Sequence, residues 1–449
     1  MVNPSWLKFI PAGLRARIEH RPHLLKAMSN TGWLLGGNVV RMAVGLLVSV
    51  WLARYLGPEE FGLLNYAIAF AALFTAVASF GLNNVVVRDL VNSPKDASTI
   101  LGTTFVLQFA GGLMAFGLAA TSIFFIRPND DLAKLMVSIL AFAMVFKSAD
   151  VVKYWFESQV QSKYSVWVEH GTYLAFAGVK VMLILQQASL MMFVWVIFAE
   201  TVVVAFALLA VYAWRGGSIK FWRVRCARAR TLLEDSWPLI LSGLAVMIYM
   251  RIDQIMLGQM LGDEAVGLYS AAVGISEVWY FIPVAVAASV FPAIVEAKKQ
   301  SEALYYQRLQ KLYDWMTLLA IAVAILMTLL ADWLMAWLYG ESYRGAGSVL
   351  ALHVWTGLFA SMGVVSGRWY LVEGLQKLLF ARTLAGAFIN ILANLLFIPE
   401  WGVQGAAIGT LLSQIAAAYV FDFFNLRTRP VFWMKSKSLL PLSLWRFKL

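Results

Sequence analysis

The chain is poor in the residues on which thiol and metal chemistry depends. Cys226 is its single cysteine, and His20, His23, His170 and His353 are its four histidines. One cysteine excludes an intramolecular disulfide, and the scattered histidines form no His/Cys set at metal-ligand spacing. A Walker lysine loop and a Gly-x-Ser-x-Gly elbow are also missing. These gaps argue against an enzyme and imply no metal and no cofactor. Charge is scarce as well: Asp, Glu, Lys and Arg make up 14% of 449 residues, against 61% hydrophobic. Mean hydropathy is +0.73, more apolar surface than a soluble chain of this length can hide in its own core.

What is present is a series of long apolar runs. About 20 apolar residues suffice for a helix to cross a hydrocarbon slab of about 30 Å. Twelve such runs begin near Gly32, Phe61, Ile100, Leu132, Val166, Leu190, Trp237, Val266, Leu312, Gly345, Leu378 and Val403. The expected fold is an all-α polytopic membrane protein with twelve transmembrane helices in two six-helix lobes around a central cavity. The tenth run has the weakest helix propensity, because Gly345, Gly347, Gly357, Gly363 and Gly367 fall within it.

Charge placement supports the count. With the N-terminus inside, the external loops hold only four bases, Arg54, Arg127, Lys134 and Arg344. Three more, Arg41, Lys180 and Arg251, lie within apolar runs, and the other 29 of the 36 Lys and Arg residues are internal. One missed or extra helix would invert every later loop, so the pattern places both termini in the cytoplasm. The net charge of +11 then reflects internal loops beside an anionic leaflet and requires no nucleic acid. Residues 1–29 read as a basic interfacial segment with no cleavable signal core, and 425–449 as a similar tail.

The longest basic connector, 215–235, divides the chain into lobes at 30–214 and 236–424. Leu56-Gly57-Pro58-Glu59-Glu60-Phe61-Gly62-Leu63 matches Leu261-Gly262-Asp263-Glu264-Ala265-Val266-Gly267-Leu268 at five of eight positions. Each copy lies in the outer loop after the first helix of its half. Six helices per half make these parallel repeats, a recurrent transporter plan with the substrate site between the halves.

The intramembrane cations point to an anionic cargo. On insertion scales each costs roughly 2.5–3.5 kcal/mol at mid-bilayer, so such residues face protein or water and mark pathways. Asn38, Arg41, Gly45 and Ser49 form one polar stripe on the first helix. Arg41 there either faces substrate or pairs with an acid such as Glu200 or Glu277. Lys180 follows Glu169 and Tyr173 on the fifth helix. Arg251 and Asp253 are two residues apart and point to different faces, with Tyr249 and Gln254 extending the polar surface. Glu200, Asp253 and Glu277 lie deep and are candidates for H+ or Na+ coupling or for charge pairing. Asn390 and Asn394, one turn apart, either bind a sugar in the cavity or join helices. His353 is expected to be packed and hydrogen-bonded.

Three motifs carry a resemblance. Gly57-Pro58-Glu59-Glu60-Phe61-Gly62, Arg251-Ile252-Asp253-Gln254-Ile255-Met256-Leu257-Gly258 and Trp401-Gly402-Val403-Gln404-Gly405-Ala406-Ala407 resemble the polysaccharide-transporter, O-antigen flippase branch of the multidrug/oligosaccharidyl-lipid/polysaccharide (MOP) superfamily. The resemblance covers about residues 30–425. It implies a V-shaped, MATE-like pair of six-helix lobes in a bacterial inner membrane. It also implies alternating-access flipping of undecaprenyl-pyrophosphate-linked oligosaccharides for O-antigen, capsule or exopolysaccharide assembly, alongside membrane lipids and glycan polymerase and chain-length machinery. The family has no firmly shared set of substrate residues, so carry-over is limited to Arg251/Asp253 and, more loosely, Arg41. Lipid II flippases of the superfamily usually carry two further helices, which twelve spans argue against. Two other readings stay open: an ion-coupled drug/cation antiporter of the same superfamily, and a non-transporting scaffold of a glycan assembly complex.

Overall fold

The computed structural model describes residues 22–440, with side chains from residue 40 onward. The Asn38 side chain, most of the basic N-terminal segment and the last nine residues lie outside that range. Among the described residues all regular structure is helical. Lipid offers the backbone no hydrogen-bond partner, so each span satisfies its own amides as a helix.

Among the described residues, ten continuous helical stretches are long and apolar enough to cross a membrane. Two of them contain a glycine reversal, at Gly57 and Gly402, and each folds into a hairpin. Asn394 and Thr410, eight residues either side of Gly402, both reach the Asp253 carboxylate. Twelve spans result. They are α1 (22–56), α2 (58–72), α3 (Pro94–Ile126), α4 (Asp131–Ser158), α5 (Lys163–Leu185), α6 (Leu190–Trp214), α7 (Cys226–Met260), α8 (Asp263–Gln300), α9 (Glu302–Tyr339), α10 (Ala346–Val372), α11 (376–401) and α12 (403–424). Short helices Thr75–Ser79 and Asn83–Asn92 extend α2, and α13 (Arg429–Leu439) follows the last span.

The two repeat copies meet face to face. Gly57 and Gly262 share a positive-φ, extended-ψ conformation (φ 74°, ψ 172° and φ 93°, ψ −179°) that β-carbon-bearing residues rarely adopt. Five residues on, a β-carbon at Gly62 would lie 1.7 Å from the Asp263 carbonyl oxygen. One at Gly267 would lie 1.9 Å from the Pro58 carbonyl oxygen. Each glycine thus packs against the opposite copy's backbone, as a local two-fold requires. Small residues permit this approach of helices in lipid.

Other contacts close the same end. Arg127, at the end of α3, makes a two-pronged ion pair with Asp263 at 2.7 and 3.0 Å and donates to the Gly258 carbonyl at 2.9 Å. Its guanidinium lies 3.8 Å from the Tyr66 ring centroid. The sequence places Arg127 in an external loop; the structure half-buries it between the halves, because Asp263 offers it a carboxylate across the seam. Arg54 donates to the Trp337 carbonyl and the Tyr343 hydroxyl to the Ala53 carbonyl.

Core packing follows the same asymmetry. One apolar cluster at the seam end draws on both halves, including Phe61, Tyr66, Val266, Tyr269 and Tyr343. At the opposite end, where the 215–235 connector lies, each half has its own cluster. Leu82, Val152, Phe156 and Leu232 belong to one, and Tyr305, Tyr313, Trp369 and Val431 to the other. The halves are joined at the seam and separate at the connector end. The connector itself is not a free tether. Arg223 and Arg225 amides bond to Ser98 and Thr103, and Arg228 pairs with Asp89 at 2.5 Å. The first turns of α7 therefore pack with the first half, whereas its Asp253 end is bound into the second.

Helix α13 is locked onto the second half by Lys435. Its fully buried ammonium bonds to Asp422 Oδ2 (2.6 Å), the Ala418 carbonyl (2.6 Å) and Ser366 Oγ (3.0 Å). A π-helical turn over Ala416–Val420 supplies that carbonyl, since wider pitch frees it from the usual i→i+4 bond. Burial pushes the Lys435 ammonium down to about 8, with Asp422 pulling the other way; it stays mostly charged at neutral pH.

Two outcomes are expected. Lys435→Met alone should lower the detergent melting temperature, because Asp422 is left buried and unpaired at a cost of about 3–5 kcal/mol. The double variant Lys435→Met/Asp422→Leu should recover most of that loss. Equal melting temperatures for the two would refute the lock. For the seam, a reporter cysteine at Ser49 in a Cys226→Ser background should be nearly inert to a membrane-impermeant thiol reagent added at the seam end. Gly267→Val, or the milder Arg127→Gln, should raise its labelling rate at least tenfold, consistent with about 1.5–3 kcal/mol for a charged hydrogen bond. An unchanged rate in both would show that the barrier lies elsewhere.

Candidate functional site

The separation of the halves leaves a cleft of about 450 Å³ below the seam. Arg41, Met42, Gly45, Leu46 and Ser49 of α1 and Tyr173 of α5 line one wall. Gly274 and Val278 of α8 and Tyr339 of α9 line the other. The 41, 45, 49 spacing brings these α1 residues to one face. Gly45 leaves room for the Tyr173 hydroxyl: a β-carbon there would lie 2.5 Å from it and displace the ring. The Tyr173 ring in turn carries the Arg41 guanidinium, 4.9 Å from its centroid. A cation over an aromatic face is stabilised by the ring quadrupole while its donors stay free. Arg41 is exposed and has no acid partner among the described residues. Glu200, one acid that could have neutralised it, is bound to Lys180 at 2.8 Å with both side chains largely covered.

Glu277 shares a helical face with the cleft residues Gly274 and Val278. It is half-buried and makes no ion pair among the described residues, and the charge of Arg251 acts on it. Lys180 is nearer the protein interior than an open path would need: its ammonium is spent on Glu200 and lies 5.7 Å from the Tyr173 centroid.

Asp253 and several of the polar candidates lie in the packed interior of the second half. Asp253 is buried and accepts from Tyr269 (2.8 Å), Thr410 (2.7 Å) and Asn394 (2.5 Å). Asn390 and Asn394 are fully buried and 3.4 Å apart. Gln254 is buried and donates to Ser270 at 3.1 Å. The Tyr249 hydroxyl is buried too, its ring packed on Gly386. These placements have one cause: α7, α8, α11 and α12 pack through their polar stripes, so Asn390 and Asn394 join helices and Gln254 and Tyr249 do not extend a cleft surface. His353 is packed as expected, its Nδ1 2.8 Å from Ser276 Oγ and its ring edge-on to Tyr269.

A second charge cluster was missed. Lys153, in the latter part of α4, holds both Asp150 (3.0 Å) and Glu169 (2.5 Å). The apolar run itself stops at Phe146, but α4 continues through Lys147–Asp150 to Ser158, which draws these charges into the protein. No group of three or more His, Cys, Asp or Glu side chains able to hold a metal ion occurs among the described residues.

The comparisons agree with this architecture. Residues 27–298, more than half of the chain, match the family described as "Polysaccharide biosynthesis protein", and residues 238–396 match the MatE family. The capsular polysaccharide biosynthesis protein CapF of Staphylococcus aureus is 20% identical over 89% of this chain and 99% of its own length. A Haloferax volcanii protein named "Probable flippase AglR" is 24% identical over 84% of this chain and 79% of its own. Among solved structures, the lipid II flippase MurJ in an inward closed conformation superposes with a TM-score of 0.67 at 13% identity, covering 93% of each chain. At that identity the likeness is one of fold. This multi-pass membrane protein belongs to the polysaccharide biosynthesis protein family.

Proposed function

We propose that the protein flips undecaprenyl-pyrophosphate-linked oligosaccharide units from the cytoplasmic to the periplasmic leaflet of a bacterial inner membrane. The observation that carries this reading is the cleft between the halves, with Arg41 held over Tyr173 and unneutralised among the described residues. A sugar–diphosphate head loses its water on entering hydrocarbon, at a cost no isolated ion can bear. A wet cleft offering guanidinium donors replaces part of that hydration with charge-assisted hydrogen bonds. Arg41 binds the head from the first half, and Arg251 steers it from the second. The polyprenyl chain stays in lipid and slides between the separated ends of the halves. The positive-inside pattern assigns the connector end to the cytoplasm, so the described state receives cargo from inside. Opening of the seam, with closure at the connector end, releases it outside.

The names of CapF, AglR and MurJ favour a glycan-carrying role over drug/cation antiport. The placement of acids does too. An antiporter for cations needs a cleft dominated by acid, yet Glu200 is neutralised by Lys180 and Asp253 is enclosed, leaving Glu277 opposite Arg251.

Asp253 is assigned instead to ion coupling. Its carboxylate joins α7, α8, α11 and α12 through Tyr269, Asn394 and Thr410, with no basic partner among the described residues. Uptake of H+ or Na+ there changes the charge at the node where the second half is tied together, which biases how that half sits against the seam.

In proteoliposomes, a labelled diphosphate-linked oligosaccharide lipid should change sides in a protein-dependent way. Arg41→Ala/Arg251→Ala should slow it at least a hundredfold in normally folded protein. Undiminished flipping by the double variant would refute the cationic path. Asp253→Asn should keep basal flipping within about threefold while removing its stimulation by an imposed H+ or Na+ gradient. Retained stimulation would move coupling to another group.

A further inference from the structure

Spans α5 and α6 meet at the connector end of the first half, where Lys163 opens one and Trp214 closes the other. The Tyr164 ring stands between them, packed on Phe156 at 5.4 Å between centroids and edge-on to Trp214 at 6.3 Å. This one ring carries two cations. The Arg215 guanidinium lies 4.7 Å from its centroid and the Lys163 ammonium 4.9 Å. A cation on an aromatic face is stabilised there while its donors stay free.

The other cations held over rings among the described residues each bind a carboxylate or donate a hydrogen bond as well. Among the described residues, Arg41, Lys163 and Arg215 do neither. Arg41 belongs to the cleft between the halves, whereas Lys163 and Arg215 are not among its lining residues. Two like charges beside one ring repel, and a single anion between them relieves both.

Position in the membrane identifies the source of that anion. Trp214 is 71% exposed, and Phe221, in the connector that follows, is 74% exposed. A tryptophan at the end of a span marks the headgroup level, so Lys163 and Arg215 stand among lipid phosphates. The positive-inside pattern assigns this end to the cytoplasmic leaflet, whose anionic lipids give it a negative surface potential.

We propose that Lys163 and Arg215 hold the headgroup phosphate of an anionic glycerophospholipid, with Tyr164 as the floor of the site and Trp214 as its wall. A zwitterionic headgroup brings its own ammonium toward two cations and is disfavoured; a phosphatidylglycerol headgroup brings none. Free phosphate lacks the acyl chains that cover exposed Trp214 and Phe221. The occupant ties the first turn of α5 to the last turn of α6. The site is separate from the cargo cleft and does not rest on the flippase reading.

The test places the full-length protein in phosphatidylcholine nanodiscs, with a fluorophore on Ala210→Cys in a Cys226→Ser background. Ala210 is exposed one turn before Trp214, on the same face of α6. A minor fraction of the lipid is brominated on its acyl chains. Brominated phosphatidylglycerol should quench at least threefold more strongly than the same fraction of brominated phosphatidylcholine. Lys163→Gln/Arg215→Gln should erase that difference and leave quenching by phosphatidylcholine unchanged, the sign of an intact fold. Lys163→Arg/Arg215→Lys should keep the difference. Lys220→Gln/Arg223→Gln removes as much exposed charge from the connector and should keep it too. Absence of the difference in the reporter protein, or its survival in Lys163→Gln/Arg215→Gln, would overturn the site. So would equal loss in both glutamine pairs, which is the diffuse attraction of a basic face. Relief of quenching by inorganic phosphate would overturn it as well, leaving a site for the free ion.

Discussion

The structure depends on backbone meeting backbone at two glycines. Gly62 and Gly267 each face a carbonyl oxygen of the opposite repeat, so the halves are joined where no side chain intervenes. In lipid there is little hydrophobic gain from bringing helices together, and close packing must supply the attraction. The shared apolar cluster, the Arg127–Asp263 pair and the floor of the cleft all lie at or just below this contact. The contact is reciprocal, so each repeat contributes the same elements to it.

Around that joint the charges separate into two populations. Lys180 with Glu200, Lys153 with Asp150 and Glu169, Arg127 with Asp263, and Lys435 with Asp422 are paired and hold helices in place. Arg41, Lys147 and Arg251 have no such partner among the described residues. An apolar medium makes an unpaired charge costly, so the residual cations are the ones whose cost must be offset by something other than the protein. That division organises the proposed chemistry: Glu200 and Asp253 are engaged in structure, Glu277 is left with Arg251 alone to balance it, and Arg41 is left free in the cleft.

Much of this was legible in the linear chain. Twelve apolar runs and the asymmetry of Lys and Arg across the loops correspond to the helices because both follow from solvent, and solvent acts residue by residue. The 56–63 and 261–268 repeat was legible for the same reason that it matters: glycine at fixed spacing is a backbone requirement. The 41, 45, 49 stripe likewise carried its own period and emerged on the cleft wall. Facing was harder. Gln254 reads as extending a polar surface, and Asn390 and Asn394 read equally as cavity groups or as joints between helices; the choice is made by the partner helix, which no local pattern encodes. Arg127 looked like a loop residue because Asp263, its partner, is 136 residues away. Lys147 was counted with the internal bases, and only the extension of α4 to Ser158 places it mid-span.

Helix α7 is fastened at both ends to different bodies. Its first turns share a core with the first half through Leu232 and an ion pair through Arg228, while Asp253 and Tyr249 are embedded in the second. Between these anchorages lie Pro238, Ser242 and Gly243, the last close against Ala76. A rod clamped in two bodies would not remain straight under the rotation that the proposed cycle requires. The hydrogen-bond ladder is already incomplete at Pro238, where no amide proton is available, and bending concentrates there. In the proposed alternating-access cycle α7 then acts as a spring: the angular travel of the halves is set by how far this helix flexes before its ladder opens.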